Sequence, residues 1–156
     1  MRTTHTTPHD CREGTDSIVI RMLASSEAGV LSRRADGVFD DELDPAWCAE
    51  FFKDPRHHVA VALDGAVVIG MASAVHYLHP DKPHELFVNE VGVAEPYRNE
   101  GVGRALLQTL LQHAASLGCE SAWVLTEPSN ASARRMYAAA GGVEQKEPPI
   151  MIEFRI

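Results

Sequence analysis

Three groups of residues in this chain have types and spacings that could do chemistry. The first is Arg98-Asn99-Glu100-Gly101-Val102-Gly103, followed directly by Arg104. Glycines that open a helix let backbone N–H groups come close to a ligand. A helix N-terminus also carries partial positive charge and unpaired donors, so the ligand expected there is an anion, usually a phosphate. The loop is not a P-loop, because it lacks the Gly-Lys-Ser/Thr ending. It is not a dinucleotide fingerprint either, because the three-glycine spacing is missing. The same glycines would equally serve close packing of a helix's first turn. The second group is Glu90, a carboxylate inside an otherwise apolar stretch, Glu85 to Val93. Such a group is costly unless it has a hydrogen-bonding partner or a chemical role. The third is the acidic run Asp40-Asp41-Glu42 with Asp44. A solvated loop is the usual meaning of such a run, and a cation site is the other.

Histidines 57, 58, 76, 79 and 84 fit no zinc-ligand spacing and read as loop and strand-end residues. Cys11, Cys48 and Cys119 are far apart and odd in number. They read as reduced thiols, and no metal site is expected.

The chain has 156 residues and a formal net charge of −8. That length suits one domain with a real core. The charge argues against a general nucleic-acid binder, which needs Lys and Arg to neutralise phosphates. It suits a cationic partner, although acidity for solubility alone is common. No apolar run approaches the ~18 residues of a membrane span, and residues 1–16 have no apolar signal region. A cytoplasmic protein is expected, with residues 1–16 as a mobile tail.

The elements that must position these groups follow in order. Ser17 to Leu23 is predicted as a strand, and Ser25-Ser26 caps a helix running to about Arg34. Asp44 caps a helix over PAWCAEFFKD with Pro45 at its first position, and Trp47, Phe51 and Phe52 form its apolar face. His58–Leu63 and Ala66–Tyr77 form a hairpin around Asp64-Gly65, with a bend at Gly70. A strand then leads to the glycine loop and a Leu-rich helix ended by Gly118. Ser121–Thr126 is a buried strand, and Ala131–Ala140 is a helix stopped by Gly141-Gly142. Val143–Gln145 and Ile150–Ile156 are closing strands. The alternation in the second half predicts a mixed α/β sheet with helices on its faces.

Val91-Gly92-Val93, Glu95-Pro96-Tyr97-Arg98, the Gly-x-Gly turn and the Leu-rich helix together resemble motif A of the GNAT superfamily of N-acetyltransferases. Its pattern, Arg/Gln-x-x-Gly-x-Gly/Ala, is satisfied from Arg98 to Gly103. The strand SAWVLT, then Asn130, Ala133, Tyr137 and the Ala-Gly-Gly stop resemble the superfamily's Asn-x-x-Ala-x-x-x-Tyr element. Gly142-Val143 departs from it, since an aromatic often follows the glycine. The resemblance covers residues 17–156. Within the superfamily the chain is most similar to type I aminoglycoside 3-N-acetyltransferases, the gentamicin-modifying group. The similarity is carried by Val38–Leu43, Asp64–Gly70, Tyr77–Pro80 and Glu85–Val93.

The resemblance implies a mostly antiparallel central sheet with splayed strands, and acetyl-CoA as the cofactor. Its pyrophosphate would sit on Arg98, Asn99, Glu100, Gly101, Val102, Gly103 and Arg104. Its pantetheine would lie along Val91 and Val93, with Gly92 permitting close approach, and Asn130, Ala133 and Tyr137 would complete the site. Glu90 is implied to take the proton from the acceptor amine, directly or through a water. A backbone N–H at Val91 or a neighbour would meet the developing oxyanion. Tyr137 is implied to protonate the thiolate, and a core aromatic on an Ala-rich face is its other reading. Asp40, Asp41, Glu42, Asp44, His84, Glu90 and Glu153 are the residues expected to face a cationic aminoglycoside, the basis of an antibiotic-resistance role. A homodimer is also implied. Two other readings remain open: a different acceptor (a polyamine, a small metabolite amine or a protein N-terminus), and an acyl-CoA-binding module without turnover.

Overall fold

The computed structural model describes residues 18–147 and 149–156. The expected N-terminal tail and Ser17 lie outside the described residues. Five strands form one sheet in the order β1-β2-β3-β4-β5. They are β1 (Val19–Met22), β2 (His57–Asp64), β3 (Val67–Tyr77), β4 (His84–Val93) and β5 (Cys119–Val124). The first four are antiparallel neighbours, and β5 runs parallel to β4. That parallel pair needs a crossover, which α2 (Val102–Ser116) supplies. The other helices are α1 (Pro45–Lys53) and α3 (Ala131–Ala139).

The sheet is apolar on both faces. On one, Ala60, Ala62, Ile69, Ala72, Ala74, Leu86 and Val88 meet Leu106, Leu107, Leu110 and Ala114 of α2. On the other, Val59, Val61, Val68 and Met71 meet Leu23, Leu31 and Val38, with Phe51 and Phe52 of α1 packed at the margin. Helices therefore cover both faces, as expected of a mixed α/β sheet.

Local chemistry accounts for the ends of the elements. The Asp44 side chain accepts hydrogen bonds from the amides of Ala46 (2.7 Å) and Trp47 (3.0 Å), capping α1. Gly118, at φ +85, ends α2 in the left-handed conformation that favours glycine. At the end of α3 the Gly142 amide donates to the Tyr137 carbonyl and the Gly141 amide to that of Ala138, a Schellman motif.

Four expectations are corrected. Ser25–Ser32 is a 3₁₀ helix whose cap position is Ala24, not a serine-capped α-helix. It holds Gly29 and serines, which are weak α-formers. Trp47 is 73% exposed, so the buried face of α1 is carried by Phe51 and Phe52. The strand expected to be buried, β5, is an edge strand exposed along most of its length. The closing strands do not form: residues 143–147 and 149–156 carry no strand and are exposed. No helix among the described residues is long and apolar enough to cross a membrane.

Candidate functional site

The site is built at an irregularity in β4. In the ladder with β3, Ser73 faces Glu90 but Ala74 faces Val88, so Asn89 is an extra residue. Such a bulge switches the alternation of side chains. Leu86 and Val88 before it, and Val91 and Val93 after it, all pack toward the α2 core. Glu90 and Gly92 are left on the opposite face. The β4–β5 ladder ends at the pair Val88–Val124, while β4 runs on to Val93. From Asn89 to Val93 the strand therefore has a neighbour on one side only, and the sheet forks there.

Glu90 is half-buried at this fork. Burial raises its pKa above the usual glutamate value, and the charges of Asp40 and then Asp41 raise it further. The backbone amide of Asp40 opposes them in part. The acidic loop reaches Glu90 because Val38, only 1% exposed, is anchored under it. The anchor depends on Gly92: a Cβ there would collide with the Val38 carbonyl oxygen and lie 3.0 Å from its carbon. Gly92 thus does permit a close approach, but the group that fills the space is this chain's own loop. The loop also borders an open cavity of about 610 Å³ lined by Arg34, Asp36, Gly37, Phe39, Asp40 and Asp41 among others.

The other side of the fork is the start of α2. Asn99 and Gly101 have positive φ, +64 and +84. Nothing lies within 4 Å of where a Gly101 side chain would be. No side chain caps the helix, and its first backbone bond runs from the Ala105 amide to the Gly101 carbonyl. The amides of Val102, Gly103 and Arg104 therefore have no intrahelical acceptor. Arg98 is held beside them by its Nε–H, which donates to the Val93 carbonyl at 2.8 Å. The two glycines differ in role. Gly101 is open to solvent, whereas a Cβ on Gly103 would sit 2.8 Å from Met136 Sδ of α3. Gly103 is where α2 and α3 touch. Val102 points into the core and contributes backbone only.

On α3, Asn130 is the N-cap: its side-chain oxygen accepts from the Ala133 amide at 3.1 Å. Tyr137 is half-buried against the α2 core, and burial raises its phenol pKa, which keeps it protonated.

The remaining expected residues are dispersed. His84 starts β4, six residues and roughly 20 Å of strand from Glu90. It stands near His76, whose pKa is lowered by burial first and then by the charge of His84. Asp44 is committed to capping α1. Glu42 accepts a hydrogen bond from Arg34 at 2.7 Å, with its carboxylate otherwise exposed. Glu153 lies in the exposed C-terminal segment, away from any strand. Among the described residues no three histidine, cysteine or acidic side chains converge to hold a metal ion. Sequence reasoning missed Arg34 and Phe39, which line the acidic cavity, and Asn89, whose bulge has no local signature.

The fold and the sequence both have counterparts among known proteins. The fold is that of an aminoglycoside acetyltransferase, meta-AAC0020, from an uncultured soil metagenomic sample, solved in complex with trehalose. The likeness has a TM-score of 0.77 over 89% of this chain and 96% of that one, at 15% identity. The aminoglycoside acetyltransferase AAC(6')-Iy, solved with a bisubstrate analogue of CoA and acetylneamine, gives 0.73 over 90% and 100%, at 20% identity. In sequence, the chain is 33% identical over 93 residues to the L-2,4-diaminobutyric acid acetyltransferase of Nocardia farcinica. That match spans 60% of this chain and 45% of the Nocardia enzyme. It is 29% identical over 102 residues to the N-alpha-acetyltransferase RimI of Mycobacterium tuberculosis, 64% of each chain. Residues 26–141 match the acetyltransferase (GNAT) family, and the chain belongs to it.

Proposed function

We propose that the protein transfers an acetyl group from acetyl-CoA, the donor GNAT acetyltransferases use, to a polycationic amine. In its finer form the acceptor is the 3-amino group of a 2-deoxystreptamine aminoglycoside. The observation that carries the reading is Glu90 at the fork in the sheet, with Asp40 and Asp41 beside it.

The residues present fit the cofactor. Three amides at the start of α2 have no intrahelical acceptor, and Arg98 and Arg104 flank them, which suits a pyrophosphate. The one-sided stretch Asn89–Val93 suits the pantetheine amides. Bound there, acetyl-CoA supplies a thioester carbonyl to attack.

The chain's own groups then have distinct tasks. Asp40 and Asp41 attract an acceptor carrying several ammonium groups and orient one toward Glu90. Glu90 accepts a proton from that ammonium, leaving a neutral nitrogen. Its raised pKa brings its basicity nearer to that of the amine. The backbone N–H of Val91 or a neighbour meets the charge that develops on the carbonyl oxygen. With acetyl-CoA in place, the C–N bond would form at the expense of the C–S bond; the Tyr137 hydroxyl would give its proton to the departing sulfur and regain one from solvent, and the proton the nitrogen sheds on becoming an amide would leave to solvent. Attack is direct, within a ternary complex.

The test is a panel of acceptors with acetyl-CoA, read by thiol release and by mass-spectrometric location of the new acetyl group. Acetylation of gentamicin-like compounds at the 3-amino group is the expected result. No thiol release with any of them would overturn the finer reading. A second acceptor, a small diamine acid, is favoured by the 33% identity to the diaminobutyric acid enzyme. Release with diaminobutyrate but not with aminoglycosides would select it.

A further inference from the structure

Strand alternation gathers a second group of chemically able side chains, away from the acidic loop. Leu86 and Val88 face the α2 core, so Glu85 and Phe87 face the other way. After the Asn89 bulge, Glu90 lies on that same opposite face. In the ladders Glu85 stands between Tyr77 of β3 and Ser121 of β5, and Phe87 stands beside Trp123. The Tyr77 hydroxyl donates to one Glu85 carboxylate oxygen, and the Ser121 hydroxyl donates to the other at 3.2 Å. The Trp123 indole N–H donates to the Tyr77 oxygen at 2.7 Å. The Phe87 and Trp123 rings lie 4.3 Å apart. Three strands thus fix one carboxylate within three aromatic rings.

The cluster is open to a ligand and carries charge. Helix α1 packs on this face at β2, where Phe51 meets His57, and Trp123 is left 42% exposed. The Tyr77 hydrogen bond holds the Glu85 carboxyl below the usual glutamate range, against the desolvation that opposes it, so it is a carboxylate at neutral pH. His79 and Lys82 act on it through space, yet it has no ion-pair partner among the described residues. A carboxylate framed by aromatic rings suits an ammonium group: the oxygens take its protons and the rings take its charge and its C–H faces. Phe87–Trp123 is the pair just before the β4–β5 ladder ends at Val88–Val124, so the cluster borders the fork. Glu85 lies roughly 15 Å along β4 from Glu90.

We infer that Trp123, Phe87 and Glu85 form a second subsite for the acceptor, which takes an ammonium-bearing ring remote from the nitrogen that reacts at Glu90. The subsite rests on the polycationic acceptor proposed above, because it takes Glu90 as the reacting end. A rigid acceptor with ammonium groups on separate rings reaches both ends. A small diamine acid fills the Glu90 end alone. The subsite therefore selects among amines by length, which the acidic loop does not do, since exposed carboxylates attract any cation. The hydrogen bonds among Tyr77, Glu85, Ser121 and Trp123 hold its shape before a ligand arrives, which lowers the cost of binding.

The test measures binding apart from turnover. The chain has two tryptophans, so Trp47→Phe leaves Trp123 as the sole emitter. Titrated with gentamicin at physiological ionic strength, that protein should show an emission shift to shorter wavelength that saturates. Diaminobutyrate should leave the emission unchanged. Glu85→Gln in the same background should raise the gentamicin dissociation constant roughly 3- to 30-fold. Trp123→Leu in the full chain, read by calorimetry, should do the same. Glu50→Gln removes an exposed charge from α1 and should leave the constant as it was. An emission that does not respond to gentamicin overturns the subsite, as does an equal response to diaminobutyrate. Equal weakening by Glu50→Gln and Glu85→Gln reduces the effect to net charge and overturns it too. So do unchanged constants in Glu85→Gln and Trp123→Leu; if one of these two fails to fold, the other decides. Weakened binding in the variants, without thiol release by the unaltered chain, supports the subsite and overturns the reaction proposed above. Thiol release with gentamicin, but no weakening in the variants, overturns the subsite and leaves that reaction standing.

Discussion

Glu90 joins two requirements in one side chain. Its position after the Asn89 bulge turns it away from the α2 core, and the Val38-anchored loop brings Asp40 alongside. Glu90→Gln keeps the shape and removes the basicity. It should lower kcat by roughly 10²- to 10⁴-fold while the dissociation constant for acetyl-CoA stays nearly unchanged. Loss of both together would make the residue structural. Since burial, Asp40 and Asp41 all raise the Glu90 pKa, the acidic limb of the kcat/KM profile should lie above the ordinary glutamate range. Asp40→Asn removes one of those charges, so the limb should move to lower pH while KM for a polycationic acceptor rises. A limb that stays in place would separate Asp40 from Glu90. The two loop glycines should fail differently. Gly101→Val forces a side chain into a left-handed conformation, at a cost of about 1–2 kcal/mol, and should weaken acetyl-CoA binding with little rearrangement elsewhere. Gly103→Leu must instead displace Met136, so its loss of binding should come with a lower melting temperature.

The elements were legible where their signals are local. The helix over Val102–Ser116 is announced by its leucine spacing and ended by Gly118. The helix over Ala131–Ala139 is framed by Asn130 and by Gly141-Gly142. What stayed hidden depends on register or on distant contacts. The Asn89 bulge exists only relative to β3. The reason for Gly92 lies far earlier in the chain, at Val38. The apolar stretch Ala122–Leu125 and the apolar residues of 150–156 suggest strands, but they cannot say which faces will find a neighbour. Gly92 offers a test at this scale. Gly92→Ala puts a methyl where the Val38 carbonyl lies, so the acidic loop must lift off β4. The melting temperature should fall, and the affinity for a polycationic acceptor should fall with it, while acetyl-CoA binding persists. Unchanged acceptor affinity would mean that the loop's docking on β4 is irrelevant to recognition.

For the whole molecule, the buried end of the α2 core sets how stability responds to pH. His58 is buried, with its Nε2 2.7 Å from Nδ1 of His76 and its Nδ1 3.1 Å from Nε2 of His113. Burial, then the charges of His113, His76 and His57, push its pKa down to about 4. His76 is lowered too, by burial first and then by His84. In the unfolded chain these imidazoles take up protons near pH 6.5. Between that pH and about 4 the unfolded state therefore binds more protons than the folded one, and stability must fall as pH falls. At 1.36 kcal/mol per pKa unit the His58 contribution is on the order of 3 kcal/mol across that window. Carboxylates held below their usual range, such as Asp54 beside Arg56 and Glu144 beside Arg134, lose their contribution only as they titrate, at lower pH. Glu90, with its raised pKa, acts in the opposite sense and partly masks the effect as it titrates. Urea midpoints measured from pH 7.5 to 4.5 should therefore decline, with most of the loss below pH 6.5. In His58→Leu that decline should flatten, although the variant strands His76 and His113 without their partner and should be less stable at pH 7.5. A decline equally steep in His58→Leu would assign the pH dependence to other groups.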